Sequence, residues 1–444
     1  MYQTLKKYVL LAVTWSLAIG IVLSYEKEAL AKQAHEKATS YRTVTEIYDW
    51  GAVITKIIID LGEPVPTNSL TKETFKVHVA RSDSRLKPSL LEQGDRTIKK
   101  AYVSDKDGQP AVHTGKYAVL EMEVGPAVSL GAPLNYDEYG TGLNAWIDSQ
   151  YTITQQKDIV TKKGKLSGLV VKQFKGEKRE LVDDFTIQKG IYHNMELAYA
   201  SYAPKKDKKK NPLIIWLHGG GEGGTDATIP LSANKAVSFV TNETQAYFKG
   251  AYVLVPQAPT KWMDGYTGEA DGTSIYKESL MALIQEYVAK NPDIDPNRIY
   301  IGGASNGGYM TMLMIRDYPN YFAAAFPVCE GLNDRLITDQ DLEKMKETPI
   351  WFVAAKNDTV LPPTINTLPT YERLVKSHAN NAYLSLFEDV HDTTGLYKNN
   401  DGSPYQYNGH SSWIYLYNNE PNAKINGATT TIMKWMSKQS LNNN

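Results

Sequence analysis

The 444-residue chain has one cysteine, Cys329, which excludes an intrachain disulfide, a thiolate metal cluster and a CxxC redox pair. Stability must come from packing. Cys329 directly follows the apolar stretch Ala323 to Val328, where a buried thiol acts as a small hydrophobe. An excess of either charge is also missing, since 48 Lys and Arg face 49 Asp and Glu with no long block of one sign. Such a surface offers little to a phosphate backbone, so nucleic acid is not expected as a ligand. The one basic cluster, Lys205, Lys206, Lys208, Lys209 and Lys210 around Asp207, reads as a solvated loop that blocks aggregation. The eight histidines form no H-E-x-x-H motif and no compact His/Asp cluster, and neither a metal nor another cofactor is expected.

Long apolar runs are equally scarce. The single one, Tyr8 to Ser24, follows Lys6 and Lys7 and precedes Ala29-Leu30-Ala31, the order of a basic region, an apolar region and a cleavage site. Residues 1–31 are therefore expected to be a signal peptide, and the chain to be secreted or extracytoplasmic. An uncleaved N-terminal anchor is the alternative, because the run is close to the minimum length that spans a bilayer. No other stretch suggests a membrane contact, and nothing specifies an oligomeric state.

The length, with 42% apolar residues, is enough for two domains that each bury a core. From about Tyr41 to Ile159 short β-rich runs alternate with polar turns: Val53 to Leu61, Phe75 to Ala80, Thr97 to Val103, Tyr117 to Val124 and Tyr151 to Gln155. An immunoglobulin-like β-sandwich over residues 40–165 accommodates this pattern, without the inter-sheet disulfide of antibody domains. From about Leu166 the pattern changes to apolar strands separated by helix-length segments, which predicts an α/β domain over residues 166–440. Its strands are expected at Leu213 to Leu217, Ala251 to Val255, Arg298 to Ile301, Ala323 to Val328, Ile350 to Ala354 and Tyr383 to Phe387. Val182 to Pro204 supplies an antiparallel opening hairpin, and Ala428 to Ser437 a final amphipathic segment.

The sharpest motif is Gly303-Ala304-Ser305-Asn306-Gly307, a G-x-S-x-G between a predicted strand and a predicted helix. A turn that tight needs small residues around the serine, and it exposes the Ser305 hydroxyl at a helix N-terminus. The structural alternative is a glycine-rich turn with an N-cap serine. A serine hydroxyl is a poor nucleophile at neutral pH, so nucleophilic chemistry further requires an acid and a histidine downstream. Asp358, just beyond the strand Ile350 to Ala354, is the candidate acid; an Asx turn would explain it otherwise. Two histidines compete for the base. His391 stands immediately after the last strand, which favours it by position, whereas His410 leads into the final amphipathic segment.

His218-Gly219-Gly220-Gly221-Glu222-Gly223-Gly224 follows an early strand and lets backbone N–H groups approach a substrate closely. It lacks the Gly-Lys-Ser or Gly-Lys-Thr ending of a phosphate loop. Beside G-x-S-x-G it reads as an oxyanion loop, with Gly220 or Gly221 and the backbone N–H of Asn306 as donors and His218 as a structural residue. Trp262 and Tyr266 are candidate substrate-pocket residues on a later loop.

These residues resemble secreted bacterial esterases of the EstA type, α/β-hydrolases similar to polyhydroxybutyrate depolymerases and feruloyl esterases that carry an N-terminal immunoglobulin-like domain. The resemblance rests on Trp216 to Gly224, on Asp293 to Tyr300 leading into Gly303 to Tyr309, and on Gly409-His410-Ser411-Ser412-Trp413. It implies a G-H-x-x-W setting for the base, which assigns that role to His410. It also implies that the front domain helps shape the catalytic unit. Hydrolysis of a small-molecule carboxylic ester through an acyl-enzyme is expected, because an alkoxide leaves more easily than an amine. A serine peptidase similar to prolyl oligopeptidases is the runner-up, and an inactive glycan-binding relative using some of the 29 tyrosines and 8 tryptophans is the rival of another class.

Overall fold

The structure, a computed structural model, describes residues 39–441 apart from 163 and 380. The expected signal segment, residues 1–31, lies outside the described residues. Two sheets form the front domain. One holds five strands in the spatial order Phe174–Arg179, Ser40–Tyr48, Gly51–Pro66, Thr114–Met122 and Ile98–Ser104. The other holds Val170–Val171, Asp148–Gln155, Phe75–Asp83 and Leu90–Arg96. Strict alternation along Phe75–Asp83 turns Phe75, Val77 and Val79 inward. There they meet Ile57, Ile59, Leu120 and Ile153 in one core. This is the immunoglobulin-like sandwich expected from the pattern.

One strand extends the sandwich beyond the predicted limit at residue 165. Phe174–Arg179 pairs in parallel with Ser40–Tyr48, with Tyr41 opposite Phe174 and Thr45 opposite Arg179. The front-domain sheets thus continue to Arg179. Its sequence, FKGEKR, carries no apolar alternation because it is an edge strand with only one neighbour.

The second domain is built on an eight-stranded sheet, whose strands are β1 (Thr186–Tyr192), β2 (Met195–Tyr202), β3 (Asn211–Leu217) and β4 (Tyr252–Gln257), then β5 (Ile294–Ala304), β6 (Ala324–Val328), β7 (Ile350–Ala355) and β8 (Ala382–Phe387). Their spatial order is β1-β2-β4-β3-β5-β6-β7-β8. β1 and β2 form the expected antiparallel hairpin, and β3 to β8 pair in parallel. β3 explains its own continuous apolar sequence: Leu213, Ile215 and Leu217 join the core on one face, while Ile214 and Trp216 join the core on the other. Helices α1 (Lys277–Lys290) and α2 (Asn306–Asp317) pack on the first face. This is an α/β-hydrolase fold.

The segment Ala428 to Ser437 differs from a single helix. Ala428–Thr431 extends as a strand against Asn422–Ile425, in keeping with its three successive β-branched threonines, and only Ile432–Met436 is helical. Trp435 of that helix packs edge-on against Trp351 of β7, 5.3 Å between ring centroids.

Candidate active site

The parallel strands deliver the candidate residues to one edge of the sheet. Ser305 is the single residue between β5 and α2, and its backbone has φ 56° and ψ −112°. A non-glycine residue there is strained, and the surrounding contacts hold it in place. The Ser305 N–H donates to the carbonyl of Val328 on β6 at 2.9 Å, and its carbonyl accepts from Tyr309 N–H at 2.9 Å in the first turn of α2. Glycines make the turn possible. A Cβ on Gly307 would run into the carbonyl of Leu217 at the end of β3, and one on Gly303 would lie 2.6 Å from that same oxygen.

Asp358 lies in the turn after β7, where its side chain is 1% exposed. Its Oδ1 accepts from the N–H groups of Val360 and Leu361, both at 2.9 Å, and its Oδ2 lies 2.8 Å from His410 Nδ1. The histidine is fixed from its own side by Asn408, whose Oδ1 accepts the His410 N–H at 2.9 Å. Gly409 permits this approach, because a Cβ there would lie 2.5 Å from the carbonyl oxygen of Asn357. Trp413 packs edge-on against the His410 ring at 5.6 Å. With Nδ1 facing an acceptor carboxylate, Nε2 is the nitrogen left to take a proton.

His391 has other partners. Its Nδ1 lies 2.6 Å from Asp389 Oδ1, its N–H donates to the Tyr415 hydroxyl at 3.1 Å, and its side chain is 40% exposed. The two histidines that compete by position thus separate by carboxylate: His410 with the buried Asp358, His391 with the exposed Asp389.

Gly220 to Glu222 form one 3₁₀ turn after β3. The two glycines face different neighbours. A Cβ on Gly220 would stand 3.8 Å from Asn306 Nδ2, whereas one on Gly221 would meet Asn144 Nδ2 at 3.0 Å and the Tyr136 ring at 3.2 Å. Asn306 heads α2, where backbone N–H groups have no intrahelical acceptor. Its Oδ1 accepts from Met263 N–H at 3.2 Å, which ties the loop after β4 to the Ser305 turn.

His218 supports the loop from within. Its Nδ1 donates to the Gly219 carbonyl at 2.6 Å, and its Nε2 accepts from Ala258 N–H at 3.0 Å. Only the neutral ring satisfies both partners, and burial pushes its pKa down to about 4. Trp262 departs from its expected role as a pocket wall. It is fully buried, its ring 5.1 Å from His218 and 6.0 Å from Tyr276, so it backs the glycine loop as core. Tyr266, 67% exposed on the same loop, remains at the surface.

Asn144, Tyr136 and Glu330 lie near the site without belonging to any motif, and Glu222 belongs to one only as part of the glycine run. Burial pushes the carboxyl of Glu222 up to about 7 and that of Glu330 up to about 8. Glu330 accepts from Leu332 N–H at 2.6 Å and packs against Gly308 of α2. A glutamate inside a glycine run that follows the apolar stretch Leu213 to Leu217 is the available signal for Glu222. Burial also pushes the Cys329 thiol well up, in keeping with a small hydrophobe. Among the described residues, no group of three or more His, Cys, Asp or Glu is placed to hold a metal, and no helix is long and apolar enough to cross a membrane.

Comparison with known proteins agrees with this architecture. Residues 40–168 match the esterase Ig-like N-terminal domain, and residues 261–343, which include Ser305, match the prolyl oligopeptidase family. A solved thermostable esterase superposes with a TM-score of 0.74 at 25% identity, covering 90% of this chain and 99% of its own. Poly(3-hydroxyalkanoate) depolymerase C of Paucimonas lemoignei is 46% identical over 129 residues, which are 27% of this chain. The acylamino-acid-releasing enzyme of Arabidopsis thaliana is 25% identical over 248 residues, 54% of this chain. The matches span only 28% and 29% of those two relatives' own lengths. A domain that matches the esterase immunoglobulin-like family thus stands in front of an α/β-hydrolase domain, and over that two-domain arrangement the chain superposes on the solved thermostable esterase.

Proposed function

We propose that the chain is a carboxylesterase that cleaves small, short-chain carboxylic esters through Ser305, His410 and Asp358. His410 Nε2 takes the proton of Ser305 as its Oγ attacks the ester carbonyl; the backbone N–H groups of Asn306 and Gly220 receive the developing oxyanion. The imidazolium then passes the proton to the departing alcohol. Water, activated by the same Nε2, releases the acid from Ser305 and restores the free hydroxyl. Gly220 is preferred to Gly221 as the second donor because it is the glycine beside Asn306. No cofactor enters this scheme.

The observation that carries the reading is the 2.8 Å His410–Asp358 contact in a chain whose Ser305 occupies a strained strand-to-helix turn. The match of residues 261–343 to the prolyl oligopeptidase family favours peptide hydrolysis as the second reading. Pre-steady-state kinetics on 4-nitrophenyl acetate and on a proline-containing peptide separate the two. An acyl-enzyme burst with the ester supports the esterase; hydrolysis of the peptide alone overturns it. Export through the segment 1–31 belongs to the same proposal, and N-terminal sequencing of the mature protein tests it.

A further inference from the structure

The front domain reaches the glycine loop through a short hairpin. Leu134–Tyr136 pairs with Asn144–Trp146, with Tyr136 opposite Asn144 and Leu134 opposite Trp146. From its end Asn144 Nδ2 donates to the Gly221 carbonyl at 3.0 Å and to Glu222 Oε1 at 3.4 Å, across 77 and 78 residues of chain. Tyr136 covers Gly221 from the same side. Trp146 Nε1 donates to Thr228 Oγ1 at 2.8 Å and marks a second, separate tie between the domains.

The hairpin is itself braced. Arg85 donates to the Asn135 carbonyl at 2.9 Å, on the first strand, and to the Leu143 carbonyl at 3.1 Å, just before the second. Asp83, its side chain 3% exposed, holds Arg85 at 2.7 Å and accepts from Asn135 Nδ2 at 2.9 Å. Asp137 closes the tip, accepting from Thr141 N–H at 2.7 Å. A loop of three glycines has no side chains to hold its own peptide planes, and glycine loses more conformational freedom on ordering than any other residue. The tie from outside therefore acts where internal restraint is weakest.

We propose that Asn144 is a positioning residue for the oxyanion site, supplied by the front domain, which fixes the Gly221–Glu222 peptide through the Gly221 carbonyl and the Glu222 side chain and so holds the turn that carries the Gly220 N–H. Asn144 touches no reacting atom; it acts through the loop. The proposal rests on the serine-hydrolase reading of Ser305. A donor displaced by a fraction of an ångström loses most of its value to the transition state and little of its value to the bound ester. The effect therefore falls on kcat and on binding of a trifluoromethyl ketone, which forms a tetrahedral oxyanion on the serine, while KM stays near its original value.

The test compares Asn144→Asp, which keeps the shape and removes the donor, with Asn144→Ala and with Trp146→Phe, which breaks only the second tie. Both Asn144 variants are expected to lose about 10- to 100-fold in kcat and in trifluoromethyl ketone affinity, by the cost of misplacing a catalytic group. Trp146→Phe should stay within about twofold, and unfolding temperatures guard against loss of the fold. Amide exchange across residues 219–224 should rise in both Asn144 variants. An unchanged kcat, an equal loss in Trp146→Phe, or unchanged exchange overturns the proposal. A wild-type protein that hydrolyses no ester and reacts with no fluorophosphonate overturns the hydrolase reading, and the exchange experiment then still reports on the tether by itself.

Discussion

His410 Nδ1 lies 2.8 Å from Oδ2 of Asp358, and the other oxygen of that carboxylate accepts two backbone N–H groups at 2.9 Å. The acid is thus saturated with donors and almost withdrawn from water, so it orients the imidazole. Asp358→Asn would place an amide at the same point and permit the opposite tautomer. We expect kcat to fall about 10⁴-fold with little change in KM, by analogy with the same change in other triads. Steady-state kinetics on 4-nitrophenyl acetate give the answer, and a loss below tenfold would remove Asp358 from the mechanism.

The two histidines give a clean contrast. His410→Ala should abolish ester turnover to within a small residue left by the oxyanion site and binding. His391→Ala, which removes a half-exposed ring paired with Asp389, should stay within a few-fold of wild type. Labelling with a fluorophosphonate reads both variants at once. Loss of labelling in His391→Ala alone would reverse the assignment.

The glycine turn is open to a similar test. Gly307→Ala drives a methyl group into the Leu217 carbonyl at the end of β3, a contact between two backbones with no flexible side chain to yield. Overpacking of this kind costs about 1–3 kcal/mol. A lowered denaturation midpoint in urea together with at least a tenfold loss of kcat is expected. Wild-type values for both would mean that α2 can move away from β3 freely.

Glu330 makes stability depend on pH. Its folded pKa of about 8 lies above its ordinary 4.5, so the folded protein holds a proton that the unfolded chain has released between those values. Its contribution is complete below pH 4.5 and is lost as pH rises toward 8. Glu222 acts in the same direction up to about 7, whereas His218, with its pKa lowered to about 4, costs stability as pH falls from 6.5 to 4. Glu330→Gln removes only the first of these. Relative to wild type, its unfolding temperature should rise by more than about 2 °C between pH 5 and pH 8.5. Parallel curves would show that Glu330 ionises in the folded state as it does in water.

The tight turn at Ser305 was legible because its geometry demands the glycines that stand close to it in the sequence, and because β5 and α2 are regular on either side. The fold was legible for the same reason: β3 is buried on both faces and its sequence is apolar from Pro212 to Leu217. The domain contact was not legible. Asn144 and Tyr136 sit on three-residue strands in a polar stretch with no periodicity to read, and their partners lie more than 75 residues away. The edge strand Phe174–Arg179 hid likewise behind charged residues that face water. Trp262 illustrates the opposite difficulty, since an aromatic in a loop near a glycine run has the same sequence whether it lines a cleft or fills the core beneath it.

Ser305 as the nucleophile of an esterase can be observed through the covalent adduct it forms. Mass spectrometry after reaction with a fluorophosphonate, run beside ester hydrolysis by wild type and Ser305→Ala, tests it most directly. One adduct on the Ser305 peptide is expected in wild type and none in the variant, with a fall in kcat of about 10⁶-fold, the size seen when a triad serine is removed. Full ester hydrolysis by Ser305→Ala would contradict it.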